Sequence, residues 1–206
     1  MFRTLTMVIL IVGFWGTEMV RAESAGPDRP QIVVALYNDA HVAAAPLSSA
    51  QDRAAKILRR AGVDLIWQSC GDPDTRTSQS CPQTSASGHF ALRIVLRSQN
   101  LKSEIFGVAF LGKDGYGTQA DVFFDEVAKL NANSSVSLPD LLGSVIAHEL
   151  GHLILGTSSH ASSGIMRRRW ESVEVSSMRM GSLVFDPEQA EQMRNKLLPS
   201  REPPIK

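Results

Sequence analysis

Two histidines and a glutamate lie close together in the segment His148-Glu149-Leu150-Gly151-His152. Residues four apart on an α-helix point to the same side, so His148 and His152 could share one metal ion. Glu149 lies about 100° further round the helix than His148 and can sit beside the metal rather than on it. Its carboxylate could there accept a proton from a water that the metal activates. This spacing therefore predicts a catalytic zinc site.

The residues around this segment predict that it lies on a buried helix. Ser137, with Asp140 three residues later, resembles a capping box that starts the helix, and Pro139 suits its first turn. Titratable side chains inside a buried helix are costly unless they have a partner, and a metal ion is a usual one. We therefore favour a metal site over a chance match with hydrogen-bonded core histidines. Apolar residues surround the motif: Leu141, Leu142, Val145, Ile146, Leu150, Leu153, Ile154 and Leu155.

The motif continues beyond its second histidine. With Gly156 and His160 the whole pattern is HExxHxxxGxxxH, and Gly164-Ile165-Met166 follows it. These residues resemble the metzincin clan of zinc metallopeptidases, which have the pattern HExxHxxGxxH and a later methionine-containing turn. Here the third histidine comes eight residues after the second instead of six, and the glycine one place late. A slightly longer helix and a wider loop at residues 157–159 would absorb the difference.

The resemblance to metzincins implies a zinc metalloendopeptidase that hydrolyses bonds in peptide or protein substrates. It implies one catalytic Zn²⁺ bound by His148, His152 and His160, with Glu149 as the general base and Met166 in the Met-turn. Some metzincins have a tyrosine just after that methionine, but this chain has Arg167, Arg168 and Arg169 there. These arginines form a solvated surface or, alternatively, one of them contacts substrate carbonyls or a carboxylate.

Two alternatives to this interpretation remain open. If His160 is not a ligand, the chain resembles the thermolysin-like zincins, whose third ligand is a glutamate on a later helix. Glu171 and Glu174 are then the candidates, although residues 170–176 alternate like a strand or an irregular segment. The chain could also be a non-catalytic exported zinc-binding protein. Glu149 argues against that reading, because a structural metal site has no need of a base beside its ligands.

The rest of the sequence predicts the elements that position the motif. A strand at residues 31–37, a helix from Ser48 or Ser49 to about Arg60, and a strand at residues 63–68 predict a parallel βαβ unit with a right-handed crossover. We thus expect an α+β or α/β fold: a mixed, mostly parallel five-stranded twisted sheet with a backing helix, an active-site helix and a C-terminal helix, as in zincins. The remaining predicted elements are strands at residues 89–97, 106–111 and 120–127, a polar loop at 131–135, and a helix from the cap Asp186 to Leu198. In metzincins an edge strand pairs with the substrate, and the resemblance implies that role for residues 106–111.

The N-terminus predicts export. Arg3 precedes an apolar run at residues 5–15, and Val20-Arg21-Ala22 offers small residues for signal-peptide cleavage. This run is shorter than the roughly 20 residues that a membrane-spanning helix needs. We therefore assign residues 1–22 to a signal peptide and residues 23–206 to a single catalytic domain. The expected product is a secreted or periplasmic monomer with no membrane attachment after cleavage.

Charge and cysteine content narrow the choice of partners and compartment. The 21 basic and 21 acidic residues give a net charge of +0, so nothing indicates binding to nucleic acid or to anionic membranes. There are two cysteines, Cys70 and Cys81. In an exported protein such a pair predicts a disulfide, here across a polar loop.

Overall fold

The computed structural model describes residues 29–71, 81, 88–96 and 105–198. The predicted signal peptide, residues 1–22, lies outside these described residues. None of the described helices is long and apolar enough to cross a membrane. The elements are β1 (Gln31–Asn38), α1 (Ala44–Arg60), β2 (Asp64–Cys70), β3 (His89–Val95), β4 (Gly107–Phe110), β5 (Gln119–Phe123), α2 (Phe124–Ala132), α3 (Leu138–Leu155), α4 (Ser172–Arg179) and α5 (Pro187–Leu197).

The five strands form one sheet in the order β2-β1-β3-β5-β4. Strand β1 pairs in parallel with both β2 and β3, and β3 pairs in parallel with β5. Strand β4 is antiparallel to β5 and forms the end of the sheet. The predicted βαβ unit is present as β1, α1 and β2, and the predicted mixed, mostly parallel five-stranded sheet is confirmed.

The core lies between the sheet and helices α1 and α3. Ile32, Val34 and Leu36 of β1 are buried in it, because alternate side chains of a strand point to the same face. Helix α3 packs against α1 and also against β4 and β5, which explains why residues 141–155 are all buried. This packing fixes α3 beside the edge strand β4.

Helix α1 begins earlier than predicted. It starts at Ala44, and its N-cap residue Ala43 makes no side-chain capping hydrogen bond. Pro46 lies in the first turn, where a backbone N–H has no partner within the helix, so the proline is tolerated there. Ser48 and Ser49 lie inside the helix, and the prediction that one of them caps it was wrong.

The strand predicted at residues 120–127 ends at Phe123, and the chain turns directly into α2. Asp125 and Glu126 lie in the first turn of α2, where negative charge interacts favourably with the helix dipole. Val127 is fully buried and attaches the helix to the core. Helix α2 also extends to Ala132, into the segment that the sequence predicted to be a polar loop.

The segment around Glu171 and Glu174 is helical, which corrects the strand-like assignment of residues 170–176. Glu171 is the N-cap of α4 and forms a capping box with Glu174, three positions into the helix. The C-terminal helix α5 starts as predicted, with the Asp186 side chain accepting a hydrogen bond from the N–H of Gln189.

Cys70, the last residue of β2, forms a disulfide with Cys81, as the sequence predicted. Their Cα atoms are 5.9 Å apart. Residues 72–80, which the sequence predicted to form a polar loop, lie outside the described residues.

Candidate metal centre

Helix α3 carries the candidate ligands and has a defined start and end. The side chain of Ser137 accepts a hydrogen bond from the N–H of Asp140 and so caps the first turn. At the other end Gly156 adopts a left-handed backbone conformation with φ of 62°, which glycine accommodates without steric cost. The helix therefore continues to Leu155, and residues 157–159 then lead to His160.

Three histidine side chains come together at the end of this helix. Each of His148, His152 and His160 offers one ring nitrogen, and these nitrogens all lie within 4.8 Å of one another. The Nε2 atoms of His148 and His152 are 3.0 Å apart. Within the described ranges this is the one group of three such side chains that could hold a metal ion.

Backbone carbonyl groups orient the two helical histidines. The Nδ1 atom of His148 is 2.7 Å from the oxygen of Ile165, and Nδ1 of His152 is 2.7 Å from the oxygen of Thr157. A carbonyl oxygen only accepts hydrogen bonds, so each Nδ1 carries the proton and each Nε2 keeps a lone pair. Two lone pairs 3.0 Å apart repel each other unless a cation lies between them. This donor set therefore fits a metal ion such as zinc.

Burial keeps the histidine rings in the neutral form. It lowers the pKa of His148 to about 3 and also lowers the pKa of His152. For His160, partial burial and the positive charge of Arg168 both lower the pKa. Because neutral imidazole is the form that binds metals, the three rings do not need to lose a proton before they coordinate an ion at neutral pH.

Glu149 packs against the edge strand. A Cβ atom on Gly107 of β4 would lie 2.7 Å from both Cγ and Oε1 of Glu149, so only glycine leaves room at this position. The Glu149 side chain is buried, and burial raises its pKa to about 8. A carboxyl group with such a pKa exchanges its proton near neutral pH, as a general acid or base must.

A tight turn passes along α3 beneath the histidines. Gly164 has φ of +73°, and the N–H of Arg167 donates to the oxygen of Gly164. Met166 in this turn is fully buried, and its Sδ would lie 2.7 Å from a Cβ atom on Gly151. Gly151 thus lets the turn pack directly on α3 next to His152.

Trp170 connects this turn, a histidine and the edge strand. Its Nε1 donates to the oxygen of Ile165, the same carbonyl that accepts from His148. Its ring stacks on Phe106 with centroids 6.3 Å apart and meets His148 edge-on at 5.9 Å. Trp170 therefore holds the Ile165 carbonyl in place while forming one wall of the site.

The histidines open into a cleft of about 320 Å³. Two segments line the cleft: residues 105–109 and Leu111, in and around β4, and residues 167–170. Among the described strands, β4 pairs with β5 alone. Phe106 accepts a hydrogen bond from the N–H of Phe123, so in an antiparallel ladder Gly107 and Ala109 direct their N–H and C=O groups away from β5.

The two glutamates considered as alternative ligands lie outside the histidine cluster. Glu174 is buried and accepts hydrogen bonds from the N–H of Glu171 and from Arg167. Burial acts to raise the pKa of Glu174, but these hydrogen bonds outweigh it and lower the pKa overall. The Glu171 carboxylate is 2.6 Å from Nη2 of Arg167. Both carboxylates are therefore held by Arg167.

The sequence did not identify Gly107 or Trp170 as site residues. A glycine inside a predicted strand often indicates that another group approaches the backbone closely. Gly107 lies in a predicted strand, so the sequence did contain a signal for this contact. Nothing near Trp170 in the sequence indicated its role, because it contacts Phe106 and His148, which are distant in the sequence.

Comparison with solved structures defines the fold class of this chain. No protein-family model matches it, and no curated protein matches it. The chain shares its fold with two solved structures. One is archaemetzincin from Methanopyrus kandleri, with a TM-score of 0.51 and 17% identity over 84% of this chain and 99% of that one. The other is a zinc-dependent peptidase from Methanocorpusculum labreanum, with a TM-score of 0.53 and 15% identity over 78% of this chain and 99% of that one.

Proposed function

We propose that this protein is a zinc-dependent metallopeptidase. Its Zn²⁺ would be bound by His148, His152 and His160, and Glu149 would be the general base. The observation that carries this proposal is the pair of Nε2 atoms 3.0 Å apart, each on a ring whose Nδ1 is bound to a backbone carbonyl. The fold shared with archaemetzincin and a zinc-dependent peptidase supports it.

In this proposal Glu149 would transfer protons during peptide hydrolysis. A zinc ion at the three histidines would lower the pKa of a coordinated water and polarise the scissile carbonyl. The positive charge of that zinc ion would favour the ionised form of Glu149. It would therefore offset the rise in the pKa of Glu149 that burial causes. The carboxylate can then accept a proton and deliver it to the leaving amine.

The edge strand β4 suits an extended peptide substrate. The backbone groups of Gly107 and Ala109 point away from β5, and both residues line the cleft, so they can pair with a peptide by strand addition. Gly107 also contacts Glu149, so a peptide paired there would lie next to the general base. We expect cleavage at internal peptide bonds, which peptides blocked at both ends would test.

Export of the protein is a further part of the proposal. The predicted signal peptide at residues 1–22 and the Cys70–Cys81 disulfide both agree with an oxidising compartment, either the periplasm or the exterior. N-terminal sequencing of the mature protein should begin at Glu23 if the predicted cleavage site is used. A mature protein that still begins at Met1 would contradict it.

The decisive experiment combines metal analysis with cleavage of casein by the purified mature protein. We expect one zinc per chain in the wild type, loss of zinc and cleavage in His160→Ala, and loss of cleavage with zinc retained in Glu149→Gln. Zinc retained in His160→Ala would instead favour Glu171 or Glu174 as the third ligand. Zinc without cleavage of casein or of any peptide would favour a non-catalytic zinc-binding protein.

A further inference from the structure

The two segments that line the cleft differ in charge. Residues 105–109 and Leu111 carry no charged side chain, whereas the segment at residues 167–170 has Arg167, Arg168 and Arg169. Glu149 is the only carboxyl group that lines the cleft in the described part of the chain. The lining thus contains three arginines and one carboxyl group, before any metal ion is counted.

The positive charge of Arg167 is already balanced. Its guanidinium group is 2.6 Å from the Glu171 carboxylate and 3.2 Å from that of Glu174. Arg168 differs, because it is exposed and has no hydrogen-bond or ion-pair partner among the described residues. It is close enough to His160 for its charge to act on that ring. Arg168 is thus an available cation next to the candidate metal centre.

The backbone on both sides of Arg168 is held in place. Met166 is buried against α3, and Arg167 is fixed by its two glutamates. Trp170 is fixed by its hydrogen bond to Ile165 and by its stacking on Phe106. Arg168 therefore reaches the cleft from a fixed segment, which reduces the conformational entropy lost when it binds a ligand.

We propose that Arg168 binds a carboxylate of the substrate, so that the cleft selects peptides with an acidic group near the scissile bond. This inference rests on the proposed peptidase function. A guanidinium group binds a carboxylate through two parallel hydrogen bonds, and this geometry discriminates against neutral amides. The carboxylate can come from an Asp or Glu side chain or from a free C-terminus, since the chemistry is the same.

Binding to the zinc-loaded Glu149→Gln protein tests this inference without turnover. The probes are fluorescent, N-acetylated and C-amidated heptapeptides of alanine with one Glu at each position in turn, and a matched set with Gln. An all-alanine heptapeptide with a free C-terminal carboxylate is compared with its amide. The first comparison tests a side-chain carboxylate and the second tests a terminal one. Fluorescence anisotropy gives the Kd of each peptide.

We expect at least one acidic probe to bind about tenfold more tightly than its neutral partner, as one charge-assisted contact predicts. Adding Arg168→Ala should remove this preference, Arg168→Lys should retain part of it, and Arg168→Glu should reverse it, so that the neutral probe binds more tightly than the acidic one. Lys56→Ala is the matched control, because Lys56 is exposed on α1 and does not line the cleft. It should leave the preference unchanged.

Two results would overturn the inference. One is the absence of any difference between acidic and neutral probes, which includes the absence of measurable binding. The other is a preference that persists in Arg168→Ala with its zinc retained, since the metal itself would then attract the carboxylate. Failure of the peptidase proposal looks different: the wild type would not cleave casein or peptides, while an Arg168-dependent preference would remain.

Discussion

Gly107 and Glu149 are in direct contact, although they lie on different elements, the edge strand β4 and helix α3. A Cβ atom on Gly107 would be 2.7 Å from both Cγ and Oε1 of the glutamate and 2.8 Å from the backbone oxygen of Asp121. The strand therefore fits closely over the side chain proposed as the general base. Any larger residue at position 107 must move either the strand or Glu149.

We predict that Gly107→Ala lowers kcat by about 100-fold, because a displacement of about 1 Å of a catalytic group has an effect of this size. Zinc content should stay at the wild-type level, since none of the three histidines contacts Gly107 in this way. Steady-state kinetics and elemental analysis measure the two effects. The control is Phe110→Ala, which changes an exposed β4 side chain that does not line the cleft. Normal kcat in Gly107→Ala would show that Glu149 is not needed where the structure places it.

We predict that Ala109→Pro raises KM for peptides about tenfold or more. Ala109 directs its N–H away from β5, so proline removes a group that would pair with substrate and leaves the ladder to β5 intact. The loss of one hydrogen bond, together with the altered strand edge, should weaken the free energy of substrate binding by about 1.4 kcal/mol or more. Circular dichroism should show an unchanged fold. Unchanged KM for a series of peptides would contradict pairing along β4.

The elements that local sequence determines were predictable. The start of α3 depends on Ser137 and Asp140, and the start of α5 depends on Asp186 and Gln189, all within one turn. The start of α1 was not predictable from capping residues, because Ala43 provides no side-chain cap and tertiary packing decides the boundary. The boundary between β5 and α2 was not predictable either, because Phe123 and Phe124 are both residues that favour a strand.

The candidate site was predictable in part. His148, Glu149 and His152 follow from helical spacing, but spacing could not place His160, because a loop brings it to the other two rings. The contact of Gly107 with Glu149 and that of Trp170 with Phe106 depend on how β4 packs against the site. Such contacts between distant parts of the chain follow from the fold and not from local sequence.

We predict that Glu174→Gln retains zinc but lowers the free energy of unfolding by about 1–3 kcal/mol. Glu174 is 2% exposed, so the change weakens a buried charge-assisted hydrogen bond to Arg167 and alters the cap of α4. Glu171→Gln is the matched control on the same arginine, and its exposed ion pair should contribute less than about 1 kcal/mol. Urea unfolding and elemental analysis measure these changes. Loss of zinc in either variant would support a thermolysin-like ligand set.

In the metal-free protein, we predict that Glu149 makes the free energy of unfolding depend on pH. Burial raises the pKa of Glu149 from 4.5 to about 8, so the folded state binds a proton that the unfolded state has released. Its contribution to stability is therefore present below pH 4.5 and is lost as the pH rises through 8. Burial lowers the pKa of His148 from 6.5 to about 3, so this histidine destabilises the fold at low pH, and the effect fades as the pH rises past 6.5. Between pH 6.5 and 8 Glu149 lowers the stability, whereas His148 raises it slightly, because in the unfolded chain this histidine still loses part of its bound proton.

From pH 6.5 to 8 we expect the free energy of unfolding of the protein treated with EDTA to fall by about 1.5 kcal/mol relative to that of the Glu149→Gln variant, in which the histidines titrate alike. Urea denaturation at the two pH values, with the disulfide intact, measures the difference. In Glu149→Gln the fall should disappear, because the amide does not titrate, while the destabilisation below pH 6.5 that comes from His148 should remain. An equal fall in wild type and variant would mean that Glu149 has an ordinary pKa in the folded protein. The burial that makes this carboxyl a candidate base would then have no measurable consequence.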